Sequence, residues 1–325
     1  LGDVYKRQNQ DRALEVVATA SDPFEARDKI IEYRPDVMTL DIELPRMSGL
    51  EFLRKLMPQY PLPVVIISAL SEKVFDAMKA GAVDFVAKPQ VTEREQLRNF
   101  LCSELPVKIK VASTARVSRY KKPVAFAADQ HLSVRSDIDI IAIGASTGGT
   151  EAIAEVIRDF STDIPGTVIV QHMPPGFTEM YANRLDSQSR VKVKEAKNGD
   201  MVAPGQVLIA PGGSEHMSIV KVGDNYKVVL KKGEKVNGHC PSVDVLFNSV
   251  ADVAGAHAIG IILTGMGGDG AKGLLKMQKN GARTIGQDEA SCIVYGMPKV
   301  AYDLGAVMYL SLIHISEPTR PEPIS

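Results

Sequence analysis

Apolar residues along this chain recur in two rhythms that alternate. Short runs in which nearly every position is apolar give way to longer stretches in which apolar residues return every third or fourth position. LEVVATA, from Leu14, predicts a strand. DPFEARDKIIEYRP predicts a helix opened by Asp22 and Pro23 and closed before Pro35. DVMTLDI, PVVIISA and DFVAK predict three more buried strands, separated by the helical patterns LEFLRKLM and EKVFDAMKAG. Alternation of this kind predicts a parallel sheet with helices on both faces.

The rhythm breaks at residues 105–137, a basic stretch rich in Ser, Ala and Val that reads as a solvated tether. It resumes at Asp137. DIIAIGA, GTVIVQH, VKVKEA, QVLIAP, HAIGIILTG and ARTIGQ predict strands, with TEAIAEVIRDF and AKGLLKMQKNG among the helices between them. SIVKVGDNYKVVLKK predicts a β-hairpin turning at Gly223–Asn225, set beside the main sheet. The expected boundaries are a first domain over 13–105, a linker over 106–136 and a second domain over 137–308. Residues 1–12 and 309–325 lack the periodicity of their neighbours and are expected to be foreign sequence.

With 325 residues, 45% of them hydrophobic, the chain has material for two cores. A formal net charge of −1 argues against a protein built to coat nucleic acid or a membrane surface. Three cysteines without paired spacing, Cys102, Cys240 and Cys292, fit a reducing compartment, and no apolar run reaches membrane-spanning length. The expectation is a cytoplasmic protein without membrane insertion.

In the first domain Asp41 ends a predicted strand, Ser68 ends the next and Lys88 the one after, followed by Pro89, a place for a cis peptide. All three side chains are then expected at one sheet edge, where open α/β sheets bind ligands. A carboxylate, a hydroxyl and an ammonium there suit phosphoryl transfer onto Asp41, with Ser68 and Lys88 receiving the new charge. The spacing Asp41, Pro45, Gly49 and these strand ends resemble the receiver domain of bacterial two-component response regulators. That resemblance implies a Mg²⁺ ion held by an acidic pair after a first strand. LGDVYKRQNQ supplies no such strand or pair, so no metal ligand is assigned and the receiver is expected to lack its first strand.

The second domain opens on IDIIAIGASTGGTEAI, a strand, a glycine turn and a helix start. Gly144-Ala145-Ser146-Thr147-Gly148 fits the G-x-S-x-G nucleophile turn and fails the phosphate-loop pattern, because no Lys-Ser or Lys-Thr follows. A serine there serves equally well as a helix cap until a base is found, since the hydroxyl is a poor nucleophile alone. His172 directly follows a predicted strand; His216 and His239, in loops, are placed to line a cleft instead. His131 falls in the tether, His257 opens a strand and His314 lies in the tail.

GIILTGMGGDGAKG satisfies the dinucleotide pattern G-x-G-x-x-G, with Asp288 at the spacing of a ribose-binding acid. Asp269, however, would stand inside the pyrophosphate cradle and repel it. A carboxylate wrapped in glycine at a strand end better suits the orientation of a histidine. Three strand-end loops thus offer Ser146, His172 and Asp269, in an order unlike that of the α/β-hydrolases.

GASTGGTEAI, QHMPPGFT, IAPGGSEHM, PSVDVLF and LTGMGGDGAKG resemble, in order, the catalytic domain of chemotaxis protein-glutamate methylesterases of the CheB type. The resemblance runs from about Ala13 to Ala306 and departs at Cys240, where a basic residue is expected. It implies two doubly wound α/β domains, a partial flavodoxin-like receiver followed by a Rossmann-like methylesterase domain with a hairpin insertion. It further implies hydrolysis of glutamate γ-methyl esters on chemoreceptors with release of methanol, and deamidation of receptor glutamines. Ser146 would attack, His172 would move the proton, Asp269 would orient His172, and the backbone N–H groups of Thr147 and Met266 would face the oxyanion. Catalysis would need no cofactor, and a chemotaxis histidine kinase would phosphorylate Asp41 to release a receiver covering the Ser146 cleft. The rival readings are a response regulator with a DNA-binding output, for which no basic stripe exists, and a nicotinamide-dependent oxidoreductase.

Overall fold

The computed structural model describes residues 11–69, 71–89, 100–117 and 137–311. The tether over 118–136, the outermost parts of both termini, His131 and His314 lie outside the described residues. The chain divides into two compact units, Leu1–Lys121 and Lys122–Ser325.

In the first unit, α1 (Pro23–Tyr33) starts as its sequence predicts. The Asp22 carboxylate accepts the N–H groups of Phe24 and Glu25 at 2.9 and 3.0 Å, and Pro23 takes the first helical position, where no donor is needed. β1 (Met38–Asp41), β2 (Val64–Ser68) and β3 (Asp84–Ala87) form a parallel sheet in that order. α2 (Gly49–Leu56) and α3 (Lys73–Lys79) follow the first two strands.

Three expectations for this unit need correction. Leu14–Ala20 forms no strand, because it takes no part in the ladder of the described three-stranded sheet. Residues 105–113 are not tether: they form α4 (Leu105–Ser113), which follows a π-helical turn at Phe100–Glu104 and packs on β2 and β3. Lys108 bonds Asp84 on β3 at 2.7 Å. The alternation Val107-Lys108-Ile109-Lys110-Val111 has a period of two and disguised the helix. Among the described residues the cis X-Pro bond is Cys240–Pro241 rather than Lys88–Pro89.

The second unit carries a seven-stranded parallel sheet. Its strands are β4 (Ile140–Ala145), β5 (Gly166–Gln171), β6 (Lys192–Glu195), β8 (Gln206–Ile209), β11 (Ala258–Ile262), β12 (Arg283–Gln287) and β13 (Tyr309–Ser311). Their spatial order is β13-β12-β11-β4-β5-β8-β6. β4 and β5 are buried at every position, as expected of central parallel strands covered on both faces. The expected hairpin is β9 (Glu215–Val222) and β10 (Asn225–Lys232), joined by β7 (Met201–Val202) into a separate antiparallel sheet. The helices that shape the site are α5 (Gly149–Arg158), α6 (Phe177–Gln188), α7 (Val243–Ala254), α8 (Ala271–Lys279) and α9 (Met297–Asp303). Tyr309–Ser311, expected to be foreign tail, pairs with Ile285–Gln287 as the sheet's edge; three residues are too few to show a period.

The chain runs outward from β4 to β5 on one side and returns to β11 on the other. Ligand crevices in open α/β sheets form where strand order reverses in this way, at the carboxyl ends. Among the described residues no helix is long and apolar enough to cross a membrane.

Candidate active site

Three adjacent parallel strands deliver the three residues singled out above. Ser146 follows β4, His172 follows β5, and Asp269 sits in the loop after β11. Register aligns Ala145 with Gln171 and Gly144 with Ile262, so the loops leave the sheet at one level. The backbone ties them further: His172 N–H donates to Ala145 O at 3.1 Å and Ser146 N–H to Thr264 O at 3.0 Å.

The nucleophile turn is tight for identifiable reasons. Gly148 has φ of 78° and packs on Ile293, a backbone and a space that exclude a side chain. Gly265 lies so close that a Cβ there would come within 2.7 Å of Ser146 Cβ. Thr264, fully buried, gives its hydroxyl to Thr147 O at 2.9 Å and accepts the Val294 N–H at 3.0 Å. Gln171 reaches Ser146 O through Nε2 at 2.9 Å.

His172 Nε2 meets Asp269 Oδ2 at 2.9 Å, with both side chains nearly inaccessible at 6% and 1% exposure. An ionised carboxylate only accepts, so Nε2 carries the proton and Nδ1 keeps its lone pair. Nδ1 is buried and has no hydrogen-bond partner among the described residues. The ring of His239 stacks on that of His172, with centroids 3.6 Å apart and planes 5° from parallel.

Asp269 is the hub of the site. Its oxygens accept Ser242 Oγ–H at 2.7 Å, Asn237 Nδ2–H at 2.9 Å, and the N–H groups of Val243 and Asp244 at 2.7 and 3.2 Å. Burial by itself pushes this carboxyl upward, but hydrogen bonds from His172, Asn237 and Ser242 outweigh it and hold the group well below the usual range. Asp244 goes the other way: burial first, and then the neighbouring Asp269 charge, raise it. Asn237 Nδ2 bridges the pair, donating also to Asp244 Oδ2 at 2.7 Å.

A family model described as CheB methylesterase matches residues 141–318, and one described as response regulator receiver domain matches residues 3–101. A protein-glutamate methylesterase/protein-glutamine glutaminase 2 of Syntrophomonas wolfei subsp. wolfei is 64% identical over 299 residues, covering 92% of this chain and 87% of that protein. The chain belongs to the CheB methylesterase family. A protein-glutamate methylesterase/protein-glutamine glutaminase of Syntrophotalea carbinolica is 53% identical over 305 residues, covering 91% of this chain and 86% of the relative. The crystal structure of the Thermotoga maritima CheB methylesterase catalytic domain superposes with a TM-score of 0.53 at 39% identity, covering 55% of this chain and 94% of that one.

Family membership leaves the glycine loop's dinucleotide pattern without a nucleotide role, and the geometry says why. The centre of the loop is filled by a carboxylate committed to five donors, and Asp288 is turned to Ser291, whose N–H and Oγ–H it accepts at 2.8 and 2.6 Å. His216, a cleft candidate by sequence, is structural. Its Nε2 donates to Glu234 O at 2.8 Å and its Nδ1 accepts Ser242 N–H at 3.2 Å. His257, with Nδ1 2.7 Å from Asp137 O, braces the start of the methylesterase unit. Thr147 is buried beside Ser146, and Met266 follows Gly265 and is 46% exposed.

In the receiver unit the three expected residues share one sheet edge. Lys88 Nζ pairs with Asp41 Oδ2, and Lys88 N–H donates to Ser68 O at 2.7 Å. The motif glycine has a steric cause, because a Cβ at Gly49 would lie 2.0 Å from Asp41 O. The Mg²⁺ implied for receivers does not fit the described residues. Asp41 Oδ1 accepts Glu43 N–H at 3.0 Å while Oδ2 holds Lys88, and no group of three His, Cys, Asp or Glu converges among the described residues.

Sequence reading missed Gln171, Asn237, Ser242, Asp244 and Thr264. Gln171, Ser242, Asp244 and Thr264 lie inside the stretches QHMPPGFT, PSVDVLF and LTGMGGDGAKG, but nothing local marks them as partners of Ser146 or Asp269. Asn237 stands in the loop that holds His239, and of its two partners Asp244 is seven residues away while Asp269 is thirty-two away in the chain.

Proposed function

We infer that this chain hydrolyses γ-methyl esters of chemoreceptor glutamate side chains and deamidates receptor glutamines, under control of its receiver unit. The observation that carries this reading is the buried His172, with Nε2 on Asp269 and Nδ1 without a hydrogen-bond partner among the described residues, at the end of the strand that pairs with the one leading to Ser146. Ser146 Oγ attacks the γ-carbonyl carbon as His172 Nδ1 takes its proton. Asp269 stabilises the imidazolium that forms. The backbone N–H groups of Thr147 and Met266 receive the oxyanion, an interaction worth about 3–4 kcal/mol per donor in comparable sites. The tetrahedral adduct then expels methanol, or ammonia from a glutamine, which leaves with the proton held on His172. Water attacks the acyl-serine by the same route, giving glutamate and free Ser146.

The control step is phosphoryl transfer from a chemotaxis histidine kinase to Asp41, with Ser68 and Lys88 meeting the transferred group. The relatives carry the methylesterase and glutaminase names, and the receiver match supports the regulated arrangement.

Methanol release from methylated chemoreceptor membranes tests the chemistry. Ser146→Ala, His172→Ala and Asp269→Ala are each expected to abolish it; the thermal melt should stay near that of wild type in Ser146→Ala and fall in Asp269→Ala, which leaves five buried donors unpaired; full activity in Ser146→Ala overturns the mechanism. Acetyl phosphate is expected to label Asp41 and raise the rate, and Asp41→Ala to prevent both. Unchanged rates in the labelled protein overturn the control step.

A further inference from the structure

One short turn grips the site at two points. Val236 and His239 exchange backbone hydrogen bonds at 3.0 Å in each direction, and Asn237 and Gly238 between them have φ of 52° and 84°. Positive φ at both central residues is the signature of the type I′ hairpin turn, for which Asn-Gly is the favoured pair. The Asn237 amide anchors this turn on Asp269 and Asp244. Two residues later the His239 ring lies flat on His172, 3.6 Å away and within 5° of parallel.

The stack supplies a restraint on the ring plane that the Asp269 hydrogen bond alone does not. A single hydrogen bond holds His172 Nε2, and an imidazole held at one nitrogen can still swing about that contact. Swinging changes the direction in which Nδ1 points. A second ring against one face closes that motion, because tilting His172 drives it into His239. His239 is half-buried, so it also screens His172 from solvent on that side.

We propose that His239 is a positioning residue for the reaction: its ring holds the His172 imidazole in the plane that presents Nδ1 to Ser146. The proposal rests on the reading of Ser146, His172 and Asp269 as the reacting groups. It assigns His239 a role through ring shape rather than through proton transfer, and therefore predicts that another flat ring will serve.

The test uses the full chain and methylated chemoreceptor membranes, with initial rates of methanol release taken across receptor concentration. His239→Ala is expected to lower kcat about tenfold, in line with the cost of loosening a reacting group by a fraction of an ångström, with KM within about twofold. His239→Phe is expected to recover most of that loss, whereas His239→Gln, which keeps polarity without a ring, is not. Thermal melts accompany each variant, and comparison of Ala with Phe at matched stability separates ring shape from folding. An unchanged kcat in His239→Ala, a change confined to KM, or equal losses in the Ala and Phe variants would each overturn the proposal. Ser146→Ala and His172→Ala run alongside: if either retains activity, the catalytic reading itself fails. If both are inactive and His239→Ala is not impaired, only the positioning role fails.

Discussion

Asp269 caps the helix that begins at Val243: its Oδ2 accepts the Val243 N–H at 2.7 Å while the same atom holds His172 Nε2 at 2.9 Å. The positive end of a helix and a histidine thus share one carboxylate oxygen. Helix N-termini favour negative charge, so α7 helps keep Asp269 ionised at full burial.

This arrangement predicts an acid limb in stability. The folded carboxyl of Asp269 lies below its ordinary value of 3.8, so the fold favours the ionised form. Its contribution is complete at pH values above 3.8 and is lost as pH falls from there toward the folded value. Asp269→Asn removes the titrating group. The difference in melting temperature between wild type and Asp269→Asn is therefore expected to be constant near neutrality and to shrink below about pH 4. A difference that stays constant down to pH 2 would contradict it.

Thr264 predicts a separable effect on the nucleophile turn. Thr264→Val keeps the shape but leaves Thr147 O and Val294 N–H without the hydroxyl they share. Loss of about 1–3 kcal/mol of stability is expected, as for other buried groups left unpaired. The kcat for methanol release should fall more than KM rises. Thr264→Ser keeps the hydroxyl and should remain closer to wild type in both measurements.

In the receiver unit, Gly49→Ala places a methyl group 2.0 Å from Asp41 O, a contact only backbone movement can relieve. The expected cost is about 1–3 kcal/mol or more, read as an earlier unfolding transition in calorimetry of the full chain. Labelling at Asp41 should fall with it, because the displaced atoms belong to the phosphorylation segment. An unaltered melt with full labelling would show that the segment relaxes freely.

The legible parts of the chain were those in which local chemistry and periodicity agree. Asp22-Pro23 announced α1, Gly223–Asn225 announced the hairpin, and unbroken apolar runs announced β4 and β5. Misreadings came where periodicity misled or the element was too short. Residues 105–113 alternate like a strand yet form a helix, Leu14–Ala20 has strand composition but takes no part in the described sheet's ladder, and Tyr309–Ser311 is a three-residue edge.

By itself the sequence determined which residues stand at the ends of adjacent strands: apolar runs followed by turns place Ser146, His172 and Asp269 there, because strand and turn chemistry are local properties. Only the tertiary structure decided how those groups are wired. It put Nε2 rather than Nδ1 on Asp269, brought Asn237 and Ser242 to the same carboxylate, and laid His239 on His172. These contacts join segments from both sides of the β9–β10 hairpin, and their geometry depends on how that hairpin and α7 pack on the sheet. No periodicity along the chain encodes a distance between residues 172, 239 and 269; packing alone sets it.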